Sequence, residues 1–457
     1  MKVIIVLPVL GIVLLYLGLL KSRKFLLPVA VTGLVFAGIL SLTDWGTNSR
    51  HFNDMIFTDN YSVAFSASMI LITCFIFLLS NQYYKDVEFH VAEILSLMLF
   101  ALTGAVLMVS FSNIAMLFIG IETLSISLYI LAGSKKFSII SNEASFKYYL
   151  TGSFASAVFL LGVALIYGSS ASFNILKIAE YVKAGIVAPV FYVGISLIII
   201  GMAFKVAAIP FHFWTPDVYE GSPTLITLFM ATVVKTASFA AFLRLFSGCF
   251  SEISHYWQLT IWIITALTLL ISNLAALRQK SIKRMMAYSG ISHTGFLMLS
   301  ILALNSLSAP SVLFYTFTYS LATTGVFAIL IVVKNARKDE GIVDSFAGLN
   351  KANHFLSLVM VVSLVSLTGI PVTAGFFAKY FMFVNALKSH FVWIVIIAVV
   401  SALISIYYYF RIIIAIYARE AEQPEMKTDI PFKTTLILCL ALIIILGLFP
   451  GLGILEI

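Results

Sequence analysis

Apolar runs about twenty residues long recur from one end of this chain to the other, and the connections between them are short. A run of that length crosses the hydrocarbon core of a bilayer as a helix. In lipid every backbone polar group must find its partner within the protein, so only helices and closed barrels span it. Unbroken apolar runs, rather than alternating ones, select helices. The chain reads as an all-α polytopic membrane protein with about fourteen transmembrane helices, near residues 3–20, 25–43, 62–80, 91–110, 113–133, 146–168, 187–209, 223–246, 257–277, 285–304, 310–333, 355–387, 391–417 and 433–453. The composition agrees, at 61% hydrophobic and 11% charged over 457 residues.

The net charge of +8 lies in short connections between apolar runs, so it argues for a lipid bilayer as partner and against nucleic acid. Loop lysines and arginines set orientation in a membrane. The first, third, fifth, ninth, eleventh and thirteenth connections carry most of them, from Lys21, Arg23 and Lys24 to Arg419, Lys427 and Lys433. The alternate connections carry only Arg50, Lys177, Lys183 and Lys388. The odd connections are therefore expected in the cytoplasm and both termini outside. Of the longer connections, 44–61, 334–353 and 418–432, none is large enough for a catalytic domain. Cys74, Cys249 and Cys439 lie in or beside separate apolar segments, without CxxC spacing, and indicate neither a metal nor a disulfide. No GxGxxG follows a strand and no P-loop occurs, so no nucleotide, flavin or iron–sulfur centre is expected in this chain.

The chemistry concentrates in GMAFKVAAIPFHFWTPDVYEGSP, residues 201–223. Lys205 stands inside an apolar run. Pro210 removes a backbone donor and clashes with the preceding turn, so a regular helix breaks there. His212, Asp217 and Glu220 follow at once. An ionisable group in hydrocarbon costs about 2.5–3.5 kcal/mol on insertion scales. A lysine that snorkels to the headgroups avoids that cost; one held deep marks a site. The tetrapeptide Ala207-Ala208-Ile209-Pro210 has an echo in Thr368-Gly369-Ile370-Pro371, and Lys379 follows the second as Lys205 precedes the first. Interrupted segments in corresponding positions of two halves point to inverted repeats. The units would be two inverted five-helix repeats, 91–246 and 257–417, with the seventh and twelfth helices broken. Residues 1–90 and 433–457 would flank them.

Other charges fall deep in apolar runs. Glu122 lies nine residues into NIAMLFIGIETLSISLYIL, and Lys235 twelve residues past Pro223. A Glu122–Lys205 pair would hold Lys205 protonated, and breaking it or approaching Lys235 would release the proton. His212 at the break and His293 in KRMMAYSGISHTGFLML can exchange protons near neutral pH. With Tyr288, Ser289 and Ser292, His293 could carry a hydrogen-bonded chain between the halves; a satisfied core histidine is the other reading. Lys147 fits a headgroup lysine as well as a relay. Arg244 and Arg411, near helix ends, read as anchors. No second His or Cys stands at zinc-ligand spacing.

FKVAAIPFHFWTPDVYEGSPT, NLAALRQKSIKRMMAYSGISHTGF, LTGIPVTAGFFAKYFMF and NEASFKYYLTGSFASA together resemble the antiporter-like membrane subunits of respiratory complex I. The resemblance covers roughly the fourth to thirteenth predicted helices. The largest sister has a long C-terminal extension with a lateral helix, and the middle one has Glu where Lys379 stands here; the resemblance is to the third branch. It implies a proton relay of Glu122, Lys205, Lys235, Lys379, His212 and His293, with Glu122 and Lys205 as the charged pair of the first half and Lys379 near the outer exit. It implies no cofactor in this chain, with NADH, FMN, iron–sulfur clusters and quinone in partner subunits. The partners would be other membrane-arm subunits, an antiporter-like neighbour and small helical ones, in the inner (plasma) membrane of a bacterium or, alternatively, in an organelle. The alternative is a subunit of a multi-subunit sodium/proton antiporter, which shares the fold and the lysines.

Overall fold

The computed structural model describes residues 2–20, 23–85, 90–185, 187–339, 341–422, 424 and 426–453. Lys21 of the first basic connection, the side chain of Arg23, and the last four residues of the expected C-terminal segment lie outside the described part. The helices are α1 (Lys2–Leu19), α2 (Arg23–Leu42), α3 (Asn60–Tyr83), α4 (Val91–Ser110), α5 (Ile114–Ala132), α6 (Ile139–Ser170), α7 (Ile175–Lys183), α8 (Pro189–Lys205), α9 (Trp214–Gly221), α10 (Thr224–Phe229), α11 (Lys235–Cys249), α12 (Ser254–Leu277), α13 (Ile282–Ala303), α14 (Ser308–Arg337), α15 (Leu349–Ala352), α16 (His354–Thr368), α17 (Ala374–Lys388), α18 (Val392–Ala418) and α19 (Ile430–Leu448). Short polar residues start many of them by accepting from the first free N–H groups: Asp59 for α3, Asn113 for α5, Ser138 for α6, Ser281 for α13 and Asp429 for α19.

Among the described residues, twelve helices are long and apolar enough to cross a membrane. The two other expected crossings begin as shorter apolar helices, α8 and α16, because both are interrupted. The interruptions fall where the prolines predict them, and the span expected at 355–387 divides into α16 and α17. The apolar window of α10 and α11 is wholly buried, and those of α13 and α14 are 94% buried, against 28% for α1 and α2. The first pair and α13–α14 therefore form the interior, and α1 and α2 the periphery. Gly162 of α6 and Gly194 of α8 let these two helices touch backbone to backbone: a Cβ on Gly162 would meet the Gly194 carbonyl at 2.8 Å.

Four features depart from the sequence reading. The chain is not purely helical, because Ser49–His51 and Ile56–Thr58 pair as an antiparallel hairpin within the 44–61 connection. The helix expected from 146 begins at Ile139, capped by Ser138. A short amphipathic helix, α7, lies across the 169–186 connection with Ile175, Ile178 and Val182 buried. Finally, α10 and α11 are joined by a π-helical turn at Met230–Val234, immediately before Lys235. Such a turn inserts one residue, and because this helix is buried on every side there is no polar face whose shift would reveal it.

Candidate functional site

Two helix breaks frame the site. After Lys205 the chain leaves α8 through a left-handed Ala207 and a cis Ile209–Pro210 bond, then re-enters helix at Trp214. Backbone groups freed in a membrane need protein or water partners, and here neighbouring helices supply them. The Val206 carbonyl accepts from Thr294 Oγ1 at 2.7 Å, the Ile209 N–H donates to Thr268 Oγ1 at 3.0 Å, and the Phe204 carbonyl accepts from Trp214 Nε1 at 3.2 Å. At the second break, Lys379 Nζ donates to the Thr368 carbonyl at 2.7 Å and the Gly375 N–H donates to Ser366 Oγ at 3.2 Å.

The first cluster lies between α5, α6 and α8. Ser156 Oγ donates to Glu122 Oε1 at 2.5 Å, and Lys205 Nζ donates to Ser125 Oγ at 2.6 Å. Ser156, Tyr129 and Lys205 line a cavity of about 20 Å³, room for about one water molecule. Glu122 acts electrostatically on Lys205. The direct pair expected from the sequence is not formed: among the described residues, no ion pair within 4 Å joins the two. Each charge is held by a serine instead.

The second cluster lies between α11, α13, α14, α17 and α18. Lys235 Nζ donates to the Gly290 carbonyl and sits 5.3 Å from the centre of the Tyr319 ring. Lys379 Nζ lies 4.9 Å from the centre of the Phe296 ring. His293 bonds through Nδ1 to Tyr315 OH at 2.7 Å and through Nε2 to Tyr409 OH at 3.3 Å, and Tyr409 OH pairs with Ser289 Oγ. Asn273 joins Ser292, Ser401 and Tyr408 beside it at 2.6–3.0 Å. His293, Tyr319 and Lys379 line one cavity of about 10 Å³, and Lys235 and Lys379 both act electrostatically on His293.

Five of the six expected residues thus fall into two clusters. His212 stands apart: it is buried at the break beside Phe213, its Nδ1 closes no hydrogen bond of normal geometry, and the Pro210 carbonyl approaches its ring. Tyr288 is half-buried and forms no side-chain hydrogen bond among the described residues, whereas Ser289 and Ser292 do. The reading of the sequence passed over Ser125, Ser156, Tyr129, Tyr315, Tyr319 and Tyr409. Ser125 was findable, because i,i+3 spacing puts it on the Glu122 face of α5. The polar run from Tyr315 to Thr324 in the otherwise apolar α14 was a second signal.

The remaining charges are structural in ways the sequence did not specify. Lys147 belongs to neither cluster. It bridges Glu143 at 2.7 Å and Asp217 at 2.8 Å, and Arg284 bridges Asp217 and Glu220 at 2.9 Å each. This network lines a cavity of about 330 Å³. Arg244 and Arg411 likewise hold groups within the protein. Arg244 pairs with Asp59 and lies 4.8 Å from the centre of the Tyr61 ring, while Arg411 donates to the carbonyls of Leu277 and Gln279.

Residues 111–405, which hold both breaks and both clusters apart from Tyr408 and Tyr409, match the model of the NADH:quinone oxidoreductase/Mrp antiporter transmembrane family. The chain is 40% identical over 451 residues to NADH-quinone oxidoreductase subunit N of Flavobacterium psychrophilum, covering 99% of each chain. It belongs to the subunit N family. Subunit N of Cytophaga hutchinsonii is 41% identical over 453 residues and 98% of each chain. A chain of respiratory complex I from Thermus thermophilus superposes with a TM-score of 0.85 at 31% identity, over 99% of this chain and 98% of that one. A chain of the Mrp complex from Dietzia sp. superposes at 0.88 over 98% and 94% but is only 18% identical, a likeness of fold alone. The full-length relatives thus set this chain with the subunit N proteins rather than with the sodium/proton antiporters.

Within this subunit N family member, Gly369 is a position where one methyl group matters. Its φ of +85° is left-handed, and a Cβ would come 2.9 Å from Lys379 Cδ. Gly369→Ala is expected to destabilise the break by about 1–2 kcal/mol and to push the ammonium off the Thr368 carbonyl. Thermal unfolding of the detergent-solubilised complex and its proton-translocation rate measure the two effects; no change in either would mean that the break tolerates a shift of Lys379.

Proposed function

We propose that this chain moves protons across the bacterial plasma membrane as a membrane-arm subunit of NADH:quinone oxidoreductase, through a relay of Glu122, Lys205, Lys235, His293 and Lys379. One observation carries the residue assignment: Lys235, His293 and Lys379 converge on one shell of buried hydroxyls and rings, beside a helix break. A charge placed this deep is expensive unless used or paired, and here each lysine is held by a neutral carbonyl or hydroxyl rather than by a carboxylate. An ammonium so held can give up a proton and take one back. Ser156 beside Glu122 and Ser125 beside Lys205 supply hydroxyls that both accept and donate, and the cavity lined by Ser156 and Lys205 has room for a water to carry a proton between them.

The reading includes fourteen crossings, with residues 91–246 and 257–417 as two inverted five-helix units and residues 1–90 and 433–457 flanking them. The odd connections lie in the cytoplasm and both termini outside, as the lysine and arginine distribution requires. His212, at the first break, is expected along the same polar axis. NADH, FMN, the iron–sulfur clusters and quinone are held by partner subunits, as are the redox steps. An antiporter-like neighbour and small helical subunits complete the membrane arm. Moving one charge against 100 mV requires about 2.3 kcal/mol, and re-pairing buried charges is a change of that order.

Glu122→Gln tests the first cluster. The amide can still accept from Ser156, so packing is retained while the charge is lost. In reconstituted complex the rate of proton translocation is expected to fall about tenfold or more, with the subunit still assembled. Wild-type pumping together with wild-type quinone reduction would exclude Glu122 from the relay.

A further inference from the structure

We propose that Tyr319 is a proton-relay residue that links Lys235 to the cavity shared by His293 and Lys379, through a single water seated in the notch over Gly290. The inference rests on the lysine relay above and names the step between its second and third lysines.

The geometry comes from a residue with no side chain. A Cβ built on Gly290 would lie 3.2 Å from Lys235 Nζ and 3.2 Å from Tyr319 OH. Lys235 Nζ and Tyr319 OH therefore face each other beside the Gly290 backbone, no more than twice that distance apart. A water lying outward of that point, in van der Waals contact with the Gly290 Cα, bridges them, and a side chain at 290 takes up the space. The Gly290 carbonyl beside it already accepts from Lys235 and, at 3.3 Å, from Thr294 Oγ1, so the notch is polar on more than one side, which a water needs.

Tyr319 has the right availability. The hydroxyls of Tyr315 and Tyr409 are committed to His293 and Ser289. The Tyr319 hydroxyl is buried beside that of Thr323, one turn along α14, and neither closes a hydrogen bond of normal geometry. Its ring is fixed between Lys235, 5.3 Å from the ring centre, and His293, whose ring centre lies 4.6 Å away. Its other side opens on the cavity of about 10 Å³ that His293 and Lys379 line, close to the volume of one water.

The step balances as a concerted transfer. The Lys235 ammonium gives a proton to the bridging water and becomes an amine. The water passes one of its own protons to the Tyr319 oxygen. The phenolic hydrogen leaves toward the cavity, where the neutral amine of Lys379 receives it. Each oxygen forms one O–H bond and breaks another, so the phenol and the water end neutral. Rotation of the hydroxyl resets it.

The test uses reconstituted complex carrying Tyr319→Phe, Gly290→Ala or Lys235→Met, with rates normalised to subunit content and measured in H₂O and D₂O. Phenylalanine keeps the ring over Lys235 and removes only the hydroxyl, while alanine is at home in a helix and fills only the notch. Each is expected to slow proton translocation about tenfold and to change the solvent isotope effect on coupled turnover. Normalised rates and isotope effects equal to wild type in both, with pumping lost in Lys235→Met, would overturn the Tyr319 step and leave the lysine relay standing. Wild-type pumping in Lys235→Met would overturn both.

Discussion

Lys235→Met in the assembled complex is expected to reduce proton translocation by about a hundredfold or more, and Lys235→Arg is expected not to restore it. Methionine has a similar length and fills the same space, so the wholly buried α10–α11 helix keeps its packing. What it lacks is a proton to give. Arginine keeps the positive charge and can still reach toward the Gly290 carbonyl, but a guanidinium does not deprotonate in a protein. A lysine with a purely structural role would be replaced by arginine with little loss. A lysine that cycles between ammonium and amine would not. The two variants together therefore separate the roles, with pumping and quinone reduction measured on the same reconstituted sample. Wild-type pumping in Lys235→Arg would show that the charge, and not the proton, is what the site requires.

The second large effect concerns stability. Arg244→Ala is expected to destabilise the folded subunit by about 3–5 kcal/mol. Arg244 and Asp59 are largely buried, with side-chain exposures of 9% and 19%, and Asp59 also holds the first turn of α3 through the Ser62 N–H at 2.9 Å. Removing the arginine leaves a buried carboxylate without its partner and uncovers the Phe111 carbonyl that the same guanidinium meets. Asp59→Asn combined with Arg244→Met removes both charges at once and is expected to cost less than Arg244→Ala alone. Such non-additivity is the mark of a coupled pair. Thermal unfolding of the solubilised complex, and the amount of subunit that assembles, read the effect. A loss in the double variant equal to the sum of the losses in Asp59→Asn and Arg244→Met alone would mean that the pair is not coupled.

Much of the fold was legible before any coordinates. The apolar runs located the crossings to within a few residues, apart from the early start of α6, and both breaks fall where Pro210 and Pro371 place them. The departures have separate causes. The hairpin at 49–58 lies in a polar connection without an apolar period, whereas α7 has an apolar face at Ile175, Ile178 and Val182 but is too short to read as a crossing. The π turn before Lys235 sits in a helix that is buried on every side, so no polar face marks the rotation it causes. The site was legible in part: Glu122, Lys205, Lys235, Lys379 and His293 stood out as charged or titratable groups in apolar surroundings, but the serines and tyrosines that connect them did not. A hydroxyl in a membrane helix is common and bonds readily to its own backbone, as Thr232 and Thr268 do here, so its presence alone carries no signal.

The distinction follows from what is local and what is not. The cost of a charge in hydrocarbon and the loss of a donor at proline belong to a single residue and its neighbours in the chain, so crossings, breaks and candidate lysines can be read from composition and order. Which groups meet depends on how each helix is turned about its axis. That rotation is set by packing between segments apart in sequence: Gly162 against Gly194, Lys235 against Gly290, Asn273 against Ser401. For this reason the Glu122–Lys205 contact expected from the residues resolves into two serine-held charges, Arg244 becomes half of a buried pair, and a glycine in α13 opens a notch between a lysine and a tyrosine.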